Sequence, residues 1–294
     1  MELELWSETS AAISAVAVGW ARHPRDRHST ALIVRVYHWA CLHDRPVSWA
    51  CKPAHWEASV RPAVLPDQST MSRRTRRADF MAFLERVGRR MNGKAKPAAM
   101  VKVVDGKPLE LPNHTTDRDA TWGRGVSRTS VGYKIHAIFS GNPMPDAVAI
   151  TTLNRCEKRM AARLIRRVEG CGYLLGDAHY DASWLFDDCH AHHHQLVCPR
   201  AKPGTGEGHH YVSPHRRRAI AMLEVPAALS SRFGHDLYER RTAIERDFSQ
   251  MVCFGAGLGP LPPWVRRIWR VRQWVMNKLL INAARIRINR RKVA

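Results

Sequence analysis

Three carboxylates are the residues of this chain best placed to do chemistry. Asp105 closes the apolar run Met100-Val101-Lys102-Val103-Val104, Asp177 closes Tyr173-Leu174-Leu175-Gly176, and Glu245 lies in a helix-like stretch that opens Tyr238-Glu-Arg-Arg241. Hard divalent cations take carboxylate oxygens and water, so two strand-end aspartates and a helical glutamate suit a pair of magnesium ions. Paired ions of that kind serve phosphodiester cleavage. Either aspartate alone is more often a turn residue or helix cap. The helix supplies the discrimination. At 100° per residue, Tyr238, Arg241 and Glu245 fall within about 60° of one another, so phenol, guanidinium and carboxylate share one face. Leu237, Ile244, Phe248 and Met251 form a neighbouring apolar stripe. The competing reading is a surface helix laced with ion pairs. The combination favours an enzyme that cuts nucleic acid.

The elements that must position these residues change character along the chain. Ser29 can cap a buried helix running to Leu42. From Leu65 to Glu85 a second helical pattern starts at Asp67 or Ser69 and carries Arg73, Arg74, Arg76 and Arg77. These could face phosphates, as in the second helix of a helix-turn-helix, or form a solvated basic face. Met91 to Ala99 reads as a linker. Beyond it come strand-like runs at Val101–Val104, Ser130–Ser140 and Ala147–Thr152. A helix at Asn154–Glu169, a strand at Tyr173–Leu175, a helix at Ala182–His194 and a strand at Gln195–Pro199 follow. The order describes an α/β sheet with helices on its faces. Residues 1–97 are expected to form a helical DNA-binding region, and 98–294 a sheet domain with an exposed insertion at about 200–230. The Gly204-Thr-Gly206-Glu-Gly208 run in that insertion lacks the strand and helix that a dinucleotide site needs. Pro262 to Lys292 is expected to be a helix or helix pair packed on the sheet.

The 294 residues carry 47 Lys and Arg against 26 acids, a formal charge of +21. Such a field attracts polyanions, nucleic acid first among them. The 7 cysteines are scattered without a Cys-x-x-Cys pair, which suits a reducing cytosol better than a disulfide framework. The start of the chain lacks a secretory pattern and no run approaches a membrane span. A cytoplasmic protein associated with the nucleoid is expected. His190, His192, His193 and His194 with Cys189, Cys198 and His179 suggest zinc, but the histidines diverge on one helix turn. A solvated, partly cationic helix end is the better reading. His179, two residues past Asp177, is placed to contact DNA at the mouth of the site.

The residues Tyr238, Arg241 and Glu245 resemble the Tyr-x2-Arg-x3-Glu-x6-Lys pattern of one group of DDE transposases of bacterial insertion sequences. The fourth place falls on Val252, so the lysine is absent. The resemblance extends through Gly132-Tyr-Lys-Ile-His136, Thr152-Leu-Asn154, Gly176-Asp-Ala-His-Tyr-Asp181 and Leu196-Val-Cys-Pro-Arg200, and the Leu65–Arg74 segment is similar to the family's N-terminal region. It implies an RNase H-like mixed sheet with flanking helices, Asp105 on the first strand, Asp177 after the fourth, and Glu245 on a helix after an insertion. It further implies that Asp105 bridges two Mg²⁺ ions, Mn²⁺ being able to substitute, while Asp177 and Glu245 each hold one. Tyr238, Arg241 and Lys134 belong to the expected DNA-contacting set. Double-stranded DNA, as element ends and as target, would be the partner, bridged by a homodimer. Two other functions remain open: a DNA-binding remnant without turnover, for which Val252 speaks, and a metal-dependent nuclease that cuts without joining.

Overall fold

The computed structural model describes residues 1–93, 99–202, 211–224, 232–252, 254 and 256–293, with side chains except at 243–248, 250 and 293. The chain divides into two compact units, Met1–Lys94 with Met251–Ala294, and Ala95–Gln250.

The first unit opens with helices α1 (Glu2–Val18), α2 (Thr30–Leu42), the single turn α3 (Val47–Ala50), α4 (Gln68–Thr75) and α5 (Ala78–Met91). Ser29 caps α2 by accepting from the Leu32 amide, as its position predicted. Asp67 caps α4, accepting from the Thr70 amide at 2.7 Å. The single helix expected over 65–85 is two, broken between Thr75 and Ala78. On α5, Phe80, Phe83, Leu84, Val87 and Met91 form a buried stripe at helical spacing. Trp39 and Trp56 stack at 4.7 Å with Trp6 edge-on to both, and the two stacked indoles donate to the His55 and Ala50 carbonyls.

The second unit is built on strands β1 (Val101–Leu111), β2 (Thr121–Arg124), β3 (Thr129–Phe139), β4 (Ala147–Thr152), β5 (Gly172–Leu175) and β6 (His194–Val197). Helices α6 (Glu157–Ile165), α7 (Ser183–Ala191), α8 (Pro214–Glu224) and α9 (Phe233–Val252) accompany them. The described strands form one mixed sheet in the order β2-β3-β1-β5-β6, with β4 also paired to β3. β1, β3 and β4 are antiparallel neighbours, whereas β1, β5 and β6 run parallel. Setting the short β2 aside, this is the expected RNase H-like arrangement.

Successive strand residues point to opposite faces. Val104, Ile138, Leu174 and Leu196 therefore share a core with α6 and α7, while Val103, Leu175 and Val197 pack with Leu237 of α9 on the other side. β1 extends well past its expected end at Val104, through Gly106 and Pro108. β5 pairs only with Val101–Val103, so beyond that point one edge of β1 is open and Pro108 removes no ladder bond. β2, centred on Trp122-Gly123, was not anticipated.

Two expectations are corrected here. The described part of the supposed exposed insertion contains α8, whose Ala219 is fully buried against the α6–α7 core; the Gly204–Gly208 run lies outside the described residues. The C-terminal helix α10 (Ile268–Val293), expected with the sheet domain, belongs to the helical unit and packs there on α1, α2 and α5. Its polar groups explain why. Asn277 meets His38, Gln273 donates to the Thr75 carbonyl, Lys278 pairs with Asp44 at 2.9 Å, and Arg287 reaches Glu8 and the Met91 carbonyl. Buried polar groups settle where partners exist. No helix among the described residues is long and apolar enough to cross a membrane.

Candidate active site

In the register of β1 with β5, Val103 stands opposite Leu175. Asp105, inside β1 where its pairing with β5 stops, and Asp177, just past β5, each lie two residues further on, so they stand level on neighbouring parallel chains, about 4.8 Å apart in a regular sheet, and line one cavity. The two-residue step also turns both toward the face on which Val103 and Leu175 receive α9. Below them Lys102 is buried, its ammonium bonded to the carbonyls of Ala99 and Cys171 at 2.8 and 3.1 Å.

Local bonds hold each carboxylate. Asp105 Oδ1 accepts from the Gly106 amide at 2.7 Å. Asp177 Oδ1 accepts from the His179 amide at 2.9 Å, capping the short turn Ala178–Tyr180. Gly176 is required just before it, since a Cβ there would come within 2.9 Å of the Tyr180 ring. Tyr180 is buried beneath the site. Burial pushes its phenol well above the usual range, and the nearby negative charge of Glu157, Asp105 and Asp177 adds to this while Arg241 opposes it. The ring is therefore a neutral floor.

Helix α9 crosses at the same strand end. Leu237 anchors it on Val103, Leu175 and Val197, and Tyr238 donates to the Gly176 carbonyl at 3.2 Å. Arg241 Nη1 in turn donates to the Tyr238 hydroxyl at 3.2 Å. Burial raises the Tyr238 pKa, with Arg241 pulling it back, so the phenol remains a donor at neutral pH. Glu245 lies about 6 Å further along the helix than Arg241; its side chain is outside the described residues. Asp177, Tyr238 and Arg241 are thus brought to one place, with Asp105 alongside.

Asp105 and Asp177 open into a cavity of about 380 Å³, lined also by Gly106, Lys134, Glu157 and His179. Lys134, expected to meet DNA, is largely buried and its ammonium is held by Glu157 at 2.6 Å. The Glu157 carboxylate fills the space over Gly106, where an added Cβ would meet it at 3.3 Å. Neighbouring His136 is bonded to Thr151 and pushed down to about 4 by burial, so it is neutral. Glu157 escaped the sequence reading: it is the first residue of α6 and carries no positional signal beyond following Thr152-Leu-Asn154. The donor set suits Mg²⁺, because Asp105 and Asp177 are hard oxygen ligands facing open space. Among the described residues no group of three His, Cys, Asp or Glu could hold a metal.

The histidine cluster does not form a solvated helix end throughout. α7 stops at Ala191, His193 takes a positive φ of 63°, and His194 is buried as the first residue of β6. His190 stacks on His215 at 3.6 Å.

The four arginines around α4 also separate. Arg74 is buried, bonded to the His28 carbonyl and Thr30 and paired with Asp26 at 3.1 Å, which removes it from the expected phosphate-contacting set. Burial of an arginine is tolerated only with such partners. Arg77 pairs with Asp26 and Asp79. Arg73 and Arg76 are exposed, Arg76 lying 5.4 Å over the Trp269 ring.

Residues 96–255 match the family model of the transposase DDE domain. A cryo-EM structure of a piggyBac transposase synaptic complex with hairpin DNA is similar at a TM-score of 0.44 and 11% identity, over 96% of this chain and 71% of that one. No curated protein matches the chain. The family match takes in more than half of the 294 residues, from before Asp105 to beyond Glu245, and the chain belongs to the family of the transposase DDE domain.

Proposed function

We propose that the protein is the transposase of an insertion sequence, which cuts double-stranded DNA at the element's ends and joins the freed 3′ hydroxyls to target DNA. One observation carries this reading: Asp105 and Asp177 stand level on adjacent parallel chains, facing the helix that presents Tyr238 and Arg241. Asp105, Asp177 and Glu245 would hold Mg²⁺, or Mn²⁺ in its place. When bound, the ions supply charge stabilisation and an activated water or hydroxyl. Arg241 offers a phosphate its fork of donors, and the neutral Tyr238 hydroxyl, whose proton is bonded to the Gly176 carbonyl, orients that fork by accepting from Nη1. His179, exposed at the cavity mouth, is placed to meet the strand beside the cut. Joining is a transesterification and needs no nucleotide. The +21 charge supports DNA as the partner and a nucleoid location, and the pairing of two ends calls for a homodimer.

The test is cleavage and strand transfer on DNA carrying the gene's own flanks, with Mg²⁺, Mn²⁺ or chelator, comparing wild type with Glu245→Gln. Metal-dependent cutting and joining, both lost in the variant while DNA binding persists, is the expected result. Cutting without joining would leave a nuclease. Val252 in the family's lysine place favours a second reading, a DNA-binding remnant, which binding without chemistry in both proteins would establish.

A further inference from the structure

The cavity that contains Asp105 and Asp177 does not end at the carboxylates. It continues to Lys107, Arg124, Gly125 and Val126, the last three at the turn between β2 and β3. Arg124, Val126 and Arg128 are exposed there, Val126 at 78%. Trp122, two residues before Arg124 and so on the same side of β2, is 56% exposed. Three cations, Lys107, Arg124 and Arg128, pair with no acid among the described residues.

The acid nearest to them is already committed. Glu110 of β1 accepts from the Val126 amide at 2.7 Å and from the Ser130 hydroxyl at 3.0 Å, while the Gly125 amide bonds the Arg128 carbonyl at 2.9 Å. Gly125 leaves room for this, since a Cβ there would fall on the Glu110 carboxylate. The turn is therefore braced by Glu110, itself exposed, whose carboxylate is engaged by the turn's own amide and hydroxyl and not by its arginines. A rigid basic tip with an apolar residue at its apex, opening into a cavity that ends in two carboxylates, matches a chain of phosphates better than a free anion. A free anion would be bound by one enclosed set of donors, whereas Lys107 and Arg124 line an open cavity and Arg128 lies at the turn beside it.

We propose that the β2–β3 turn grips the DNA strand that leads into the two-aspartate cavity. Lys107, Arg124 and Arg128 contact successive phosphates, and Val126 packs against the sugar or base between them. Trp122 offers a stacking surface further along the strand. The inference rests on the reading of that cavity as a DNA-cutting site, and it assigns a strand-holding surface outside the carboxylates.

Binding to duplex DNA carrying the gene's flanks is measured in chelator from 50 to 200 mM salt, where each phosphate contact contributes about 0.9 to the salt slope. Arg124→Ala with Arg128→Ala is compared with Arg159→Ala with Arg163→Ala, two exposed arginines of α6 outside the cavity. The turn variant should lower the slope by about 1.8 and weaken binding roughly tenfold or more at low salt, while the control stays near wild type. Both should melt like wild type. A photocrosslinker attached through Val126→Cys should mark nucleotides close to the cut, or close to the predicted element end if no cut occurs. Equal slopes for the turn and control variants, or crosslinks scattered along the DNA, would overturn the grip. Because binding is read without metal, a wild type that binds through the turn but never cuts upholds the grip and removes the cutting reading. A wild type that does not bind DNA removes both.

Discussion

Two of the four arginines around α4 differ in use from the arginines at the β2–β3 turn. In the helical unit, Arg74 and Arg77 are drawn in by Asp26 and Asp79, and Arg74 is sealed under the His28 carbonyl. In the sheet unit, Glu110 serves the backbone of the turn, and Arg124 and Arg128 remain at the surface. Asp26 lies nearly fifty residues from Arg74 in sequence, and only folding brings the two together. Availability to a polyanion is thus decided by the acids that fold against a basic run, not by the run itself. The overall charge gives the class of partner; local pairing decides which residues can meet it.

Substitutions in the two regions should separate function from stability. Asp105→Asn or Asp177→Asn should reduce cleavage by about a thousandfold or more, on the scale of losing one group that stabilises the transition state, with little change in melting. Gel-based rates beside a melting curve check this. Arg74→Ala should do the reverse in the helical unit, costing about 1–3 kcal/mol in denaturant unfolding because the His28 carbonyl loses its donor and Asp26 keeps only Arg77. Arg124→Ala should change stability by no more than about 0.5 kcal/mol. A cost for Arg124→Ala as large as that for Arg74→Ala would abolish the contrast.

Acid should weaken both units, most strongly through His38 in one and His136 in the other. Burial pushes His38 and His136 down to about 4. The unfolded chain takes up these protons near pH 6.5 and the folded chain only near 4. Stability from this source is therefore intact above 6.5 and declines as pH falls toward 4, by as much as about 3 kcal/mol per histidine. Urea unfolding across that range should show the decline, and His38→Asn should flatten it in the helical unit alone.

Much of the scaffold was legible because its signals are local. The α2 cap, the bounds of β4 and the strand leading to Asp177 follow from a serine before an apolar run, from alternation and from a short apolar stretch closed by an aspartate. β1 ran past its expected end because Gly106 and Pro108 discourage a strand, yet β3 pairs with it from Val103 to Leu111 and the other edge is open beyond Val103. The placement of α10 depends on partners more than two hundred residues away, which no window of sequence contains. Within the site, Asp177 was readable as a strand end and the Tyr238–Arg241 face as helical spacing, whereas Asp105, expected to close its strand, lies inside β1. Glu157, Lys107 and Arg124 join them only through the sheet register, and Arg74 left the expected set because its partners come from elsewhere.

The helical unit's division between the two ends of the chain has a consequence for synthesis. Residues 95–250, a continuous segment, are synthesised before α10. The sheet unit can therefore complete its core while α1, α2 and α5 still lack the helix that packs on them. For that interval the nascent protein carries a finished sheet unit beside an unfinished helical one. Chaperone demand during production should centre on the helices, and a ribosome stalled near residue 260 would release a chain able to fold only in its middle.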